Sequence, residues 1–231
     1  MTEKTTLVLL PGLDGTEIFF GPLLASLPSW IEPVVVTYPP SGPNAYDDLV
    51  PVVDRAVAGL GRFAILGWSF GGPLALRIAV ERAGQVSGVV LCSSFVTPPR
   101  PDLVPWRFAA TGPVIAVVRA LRRTRLLIPG YATTEFRKAK ARTWRRVGSG
   151  VLASRVRAAL GVDARAPLAD CKARILYLRA TQDELIRRAS VDEVLAGAPA
   201  VALADIEGPH FALFTNPAQS ARHIASFLRQ G

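Results

Sequence analysis

Short apolar runs alternate with longer amphipathic stretches along most of the chain. Residues 5–10, 33–38, 63–67, 86–92, 175–179 and 201–206 are mostly aliphatic, with valine, leucine and isoleucine dominating. Strands that are apolar on both faces belong in a parallel sheet covered by helices on each side. The stretches between them carry helical spacing: residues 18–27, 44–60 (with Pro51 inside as a potential kink), 72–82, 187–196 and 217–228. Six strands alternating with helices predict an α/β fold with a doubly wound, mainly parallel sheet.

The alternation stops at residues 95–163, which contain no convincing strand. Thr111-Gly112-Pro113 opens a helix, with proline early enough that its missing donor does no harm. Val114, Val117, Val118 and Leu121 share one of its faces. A second helix starts at Thr134 or Glu135 and lines one side with Phe136, Ala139, Thr143 and Val147. Ser149-Gly150 interrupts, and the pattern resumes over 151–160. This reads as a helical lid inserted between two strands of one domain spanning 1–231.

Composition agrees with a packed molecule. Half of the 231 residues are apolar, so the chain buries a real core and disorder is not expected. The polar start is too short for a secretory leader, and no apolar run reaches the ~20 residues needed to cross a bilayer. Cys92 and Cys171 are far apart, without metal-ligand spacing, and read as reduced core thiols. Together these point to a cytoplasmic protein. The net charge of +9 is concentrated in the middle: between Arg100 and Arg157 stand fourteen Arg or Lys against Asp102 and Glu135. A slightly acidic body therefore carries a strongly basic insertion.

Gly67-Trp68-Ser69-Phe70-Gly71 matches G-x-S-x-G, with Gly72 extending it. The string alone is weak. Here an apolar strand feeds it and a helix leaves it, the setting in which the motif presents a serine at a sharp turn. A serine hydroxyl needs a neighbouring base. Of two histidines, His223 lies within the C-terminal helix, whereas His210 follows the last strand in Gly208-Pro209-His210. Loops after strand carboxyl ends form the site in open parallel sheets. The base needs an acceptor to fix its tautomer. Asp183 and Glu184, after strand 175–179, are the candidates, and Asp183 is favoured; Asp205 lies within a strand. The oxyanion would be held by the backbone amides of Phe70 and of Leu13, the latter in the loop Pro11-Gly12-Leu13-Asp14-Gly15 after the first strand. Asp14 would brace that loop. Trp68, Phe95, Trp106, Phe211 and Phe214 are candidates for an apolar acyl pocket, and each could equally be core.

With these motifs in place, the chain resembles the α/β-hydrolase superfamily over nearly its whole length. The resemblance implies a serine hydrolase, closest in kind to small lid-bearing esterases, cleaving carboxylic esters through an acyl-enzyme with Ser69, His210 and Asp183 and needing no metal or cofactor. It leaves thioesterase, acyltransferase and perhydrolase activity open, and also a non-catalytic ligand receptor on the same fold. Two departures stand out. Pro11-Gly12 replaces the usual His-Gly, and the usual antiparallel opening pair has no counterpart before Thr5, which implies a short or partner-covered sheet edge. The basic lid suits an anionic partner: an acidic carrier protein, a coenzyme A ester or an anionic lipid surface. A solvated helix surface is the plain alternative. Nothing suggests specific nucleic-acid binding.

Overall fold

The computed structural model of the protein describes residues 4–124, 133–198 and 200–230. The polar start at 1–3 and Arg125 of the basic middle lie outside them. Six strands form one sheet: β1 (Thr5–Leu10), β2 (Ile31–Val35), β3 (Phe63–Trp68), β4 (Val86–Cys92), β5 (Arg174–Ala180) and β6 (Val201–Ile206). Their order is β2-β1-β3-β4-β5-β6. Every pair is parallel. The order runs outward both ways from β1, so the chain reverses direction across the sheet between β1 and β3. The crevice at that reversal is where ligands bind in open α/β sheets.

Alternate residues of each strand feed two cores. Val8, Leu10, Ile65, Val89, Leu91, Ile175 and Tyr177 face one side, where they meet α2 (Tyr46–Val57), α3 (Gly71–Glu81), α7 (Arg165–Asp170) and α8 (Arg188–Gly197). Leu7, Leu9, Leu66, Val90, Leu176 and Leu178 face the other, against α1 (Gly21–Ser26), α9 (Ala212–Thr215) and α10 (Pro217–Arg229). Each buried aliphatic side chain contributes about 1.5–3 kcal/mol, and double-sided burial explains why these strands read as continuous apolar runs.

β2 is placed earlier than its valines suggest, at Ile31–Val35 instead of 33–38. The Tyr38 amide donates to the Gly15 carbonyl at 2.9 Å and its hydroxyl to the Pro11 carbonyl at 3.2 Å, so the chain has turned over the β1 loop. β2 is also the sheet edge. Pro33, which has no donor to offer, and exposed Glu32 stand on it and discourage pairing with another chain. Cys92 and Cys171 are free and buried, and no helix among the described residues is long and apolar enough to cross a membrane.

Between β4 and β5 the described residues form helices and no strand. A 3-10 segment, Pro101–Ala109, precedes α4 (Gly112–Thr124), α5 (Thr134–Arg146) and α6 (Ser149–Ala159). The Thr133 hydroxyl caps α5 by accepting the Phe136 amide at 3.1 Å. Phe136 is fully buried, with its ring 5.0 Å from Phe211, 5.7 Å from Phe214 and 5.8 Å from Phe19. It fastens the insertion to the body.

Candidate active site

Three glycines shape the turn that carries Ser69. A Cβ on Gly67 would come 2.5 Å from the Gly71 carbonyl oxygen, one on Gly71 2.5 Å from that of Leu10, and one on Gly72 would overlap the Ser94 hydroxyl. Strand β3 and helix α3 therefore approach more closely than any side chain permits. Ser69 has φ of +52°, a strained conformation for a residue with a Cβ. Its amide donates to the Cys92 carbonyl at 2.9 Å, and its carbonyl accepts the Ser94 hydroxyl at 2.7 Å and the Gly72 amide at 3.1 Å. Ser94 is in turn locked to Tyr177, whose hydroxyl donates to the Ser94 carbonyl at 2.7 Å. The strain is thus held from β3, β4 and β5 at once.

The His210 Nε2 lies 3.0 Å from the Ser69 Oγ, and its Nδ1 2.9 Å from Asp183 Oδ2. Asp183 Oδ1 accepts the amides of Leu185 and Ile186, both at 2.9 Å. Burial raises the pKa of the Asp183 carboxyl, but His210 and these two amides outweigh it and hold the group below the usual carboxylate range. The two loops are tied together: the Gln182 amide donates to the Gly208 carbonyl at 2.8 Å, and the Thr181 amide to that of Ile206 at 3.0 Å. Gly208, at φ of +132°, supplies a turn that other residues resist. The Trp68 indole donates to the His210 carbonyl at 3.2 Å, fixing the histidine loop against the serine turn.

Serine, histidine and aspartate are thus brought together as the sequence predicts. Glu184 is exposed. Asp205 forms a two-pronged pair with Arg179, both contacts at 2.7 Å, directly across from it on β5. His223 stays within α10. Among the described residues the amides of Phe70 and Leu13 donate to no loop or side-chain acceptor. Phe70 opens α3, at the positive end of the helix dipole.

The aromatic candidates separate. Trp68 and Phe211 pack around His210, with ring centroids 5.8 and 5.6 Å away. Phe214 joins the same cluster through Phe19 and Phe136. Phe95 is a buried member of the opposite core. Trp106 is 71% exposed, and among the described residues no ring contact links it to the site. Trp106 projects outward from the 3-10 segment together with Phe108. Among the described residues no cluster of three or more His, Cys, Asp or Glu side chains could hold a metal.

Several contributors escaped the sequence reading. Phe19 and Phe136 pack against Phe211, which borders His210. Ser94 and Tyr177 clamp the Ser69 carbonyl. Arg155 of α6 lies fully buried against the β1 loop. One signal was available: Val151, Arg155 and Ala159 fall on a single helical stripe, and an arginine within an otherwise apolar stripe marks a buried cation.

The sequence matches the alpha/beta hydrolase family over residues 7–223. The chain belongs to the alpha/beta hydrolase family. No curated protein matches it in sequence. Among solved structures, this alpha/beta hydrolase is similar to a hydrolase from Pseudomonas aeruginosa, at 19% identity and a TM-score of 0.78, covering 99% of this chain and 91% of the other. An enol-lactonase from Burkholderia xenovorans aligns at 16% identity and a TM-score of 0.78, covering 98% and 92%. A structure from Nitrososphaera gargensis described among carboxylesterases aligns at 16% identity and a TM-score of 0.77, covering 98% and 90%. At such identities the likeness is one of fold.

Proposed function

We propose that the protein is a serine hydrolase that cleaves carboxylic esters through an acyl-enzyme. The observation that carries this reading is the continuous relay from Ser69 Oγ through His210 to Asp183 Oδ2, on a serine held at positive φ. His210 removes the hydroxyl proton as Ser69 attacks the ester carbonyl. The developing oxyanion accepts hydrogen bonds from the Phe70 and Leu13 amides. The tetrahedral intermediate collapses, the acyl–oxygen bond breaks, and His210 returns its proton to the leaving alkoxide. Water repeats the sequence: His210 takes its proton, hydroxide adds to the acyl carbon, and Ser69 leaves with the proton restored.

Phe211 borders His210, and Phe19, Phe136 and Phe214 cluster with it, an apolar surround that suits an acyl chain. In this reading α5 caps the pocket, with Phe136 as its latch. Hydrolysis of a p-nitrophenyl ester series from acetate to decanoate, by wild type and Ser69→Ala, tests it. Turnover by the wild type alone supports the reading, and the preferred length bounds the pocket. If wild type hydrolyses neither these esters nor thioesters, the reading fails and ligand binding becomes the question.

A second reading concerns the acyl donor. A cleft of about 610 Å³ between α4 and α5 is lined by Arg119, Arg137, Lys140, Arg145 and Trp144, with alanines between and no carboxylate among these residues. It favours an anionic carrier of the acyl group, such as a coenzyme A thioester.

A further inference from the structure

Arg155 is a cation with almost no access to water, 1% exposed, and it is not in contact with any carboxylate among the described residues. Its hydrogen bonds go to neutral acceptors. Nε and Nη2 donate to Asn44 Oδ1 at 3.0 and 2.8 Å, Nη2 also to the Pro39 carbonyl at 3.0 Å, and Nη1 to the Leu13 carbonyl at 3.0 Å. The guanidinium carbon lies 5.3 Å from the Tyr38 ring centroid. It also fills the space beside Gly15, where any Cβ would strike Nη1. The Asp14 carboxyl feels the Arg155 charge without pairing with it, so the cost of burying this cation is offset mostly by hydrogen bonds to neutral oxygens. Fold stability does not by itself account for a cation set against this particular loop.

The target of Nη1 gives the reason. The peptide before Leu13 carries the amide assigned above to the oxyanion, and its carbonyl, that of Gly12, accepts the Gly15 amide at 2.9 Å. The peptide after Leu13 is the one whose carbonyl Arg155 holds. With both planes fixed, the Leu13 amide cannot swing away from the site. Tyr38 secures the loop ends through Pro11 and Gly15. Oxyanion donors help most when they need no rearrangement during the reaction. Burial lowers the Arg155 pKa to about 10, so the charge persists across the working range.

We infer that Arg155, reaching from the inserted helix α6, is a positioning residue that sets the Leu13 amide for transition-state stabilisation and makes catalysis depend on the insertion being docked. The inference rests on the Ser69 hydrolase reading. It is tested with Arg155→Met and Arg155→Lys, and with Arg157→Met, which removes a different arginine of α6, one that donates to the Ala110 carbonyl inside the insertion. With p-nitrophenyl butyrate, Arg155→Met should lose roughly 10–100-fold in kcat with KM within threefold, and affinity for a boronic acid transition-state analogue should fall in step. Arg155→Lys, which keeps the charge but not the fork, should fall between. Arg157→Met should keep kcat within twofold. A folded Arg155→Met with wild-type kcat, or a loss matched by the unfolded fraction alone, overturns the inference. If Arg155→Met does not fold, Arg155→Lys decides in the same way. Amide exchange at Gly15 and Thr16, both hydrogen-bonded within the loop, separates the two ideas. If wild type has no turnover at all, the hydrolase reading fails. Faster exchange in Arg155→Lys at those amides still shows the brace, and unchanged exchange refutes it.

Discussion

At the scale of single residues, the site depends on groups held where they would not settle by themselves. Ser69 is held at positive φ because Cys92 of β4 accepts its amide while Ser94 and Gly72 of α3 donate to its carbonyl, and its Oγ then meets the imidazole. Ser69→Ala should abolish turnover, by about 10⁴–10⁶-fold in kcat, while leaving the melting temperature close to wild type. Asp183→Asn should lower kcat by up to about 10⁴-fold, because an amide no longer imposes the tautomer that leaves Nε2 free to accept the serine proton. Steady-state kinetics on matched folded samples checks both. Asp14 titrates abnormally. Burial raises its pKa to about 6, although hydrogen bonds from Thr16 and the charge of Arg155 pull the other way. The folded state thus holds this proton more tightly than the unfolded chain. Its penalty on stability develops as pH rises from about 4 to about 6 and is complete above that. Asp14→Asn should raise the melting temperature at pH 7.5 by roughly 2–6 °C, equivalent to about 1–2 kcal/mol, and change little near pH 4. A thermal series across that range would refute this if the two proteins stayed parallel. Asp183 works in the opposite sense: its lowered pKa contributes stability that is present above about pH 4 and lost on further acidification.

At the scale of elements, the insertion between β4 and β5 touches the site at two points. Phe136 of α5 enters the aromatic cluster beside His210, and Arg155 of α6 enters the oxyanion loop. The ion pair between Arg146 and Glu17 adds a surface tie of small value. Removing the buried ring in Phe136→Ala should cost about 3–5 kcal/mol of local packing. Because the sheet packs without it, this loss should surface first as faster proteolysis within the inserted helices and a blurred acyl-length preference. Limited proteolysis alongside the ester series measures both. Equal cleavage rates in wild type and variant would mean that Phe136 does not fasten the insertion.

At the scale of the whole molecule, charge is divided between a slightly acidic body and a basic insertion. Arg155 shows that part of this charge is internal, while the α4–α5 cleft keeps four cations around an open space. If that cleft receives an anionic carrier, kcat/KM for a coenzyme A thioester should fall steeply between 50 and 500 mM NaCl, about tenfold or more, while a neutral p-nitrophenyl ester should be almost unaffected. A common, shallow salt dependence for both substrates would count against the cleft.

The sequence by itself determined the six strands, their covering helices and the meeting of Ser69, His210 and Asp183. Local rules suffice for these: double-sided burial writes continuous apolar runs, and the chemistry of a strand–turn–helix serine demands small residues at Gly67, Gly71 and Gly72. Only the tertiary structure decided where β2 ends, because Tyr38 is drawn off the ladder by partners over twenty residues away. It alone sorted the aromatics, leaving Trp106 in solvent, Phe95 in the far core and Phe136 against Phe211. The apolar stripe of α6 marks Arg155 among the fourteen basic residues of the middle segment, but only the tertiary structure showed which loop it meets. Residue type and spacing record which faces are apolar. They do not record which distant loop a given face will meet, and that meeting is what turns one arginine among many into a brace for the oxyanion loop.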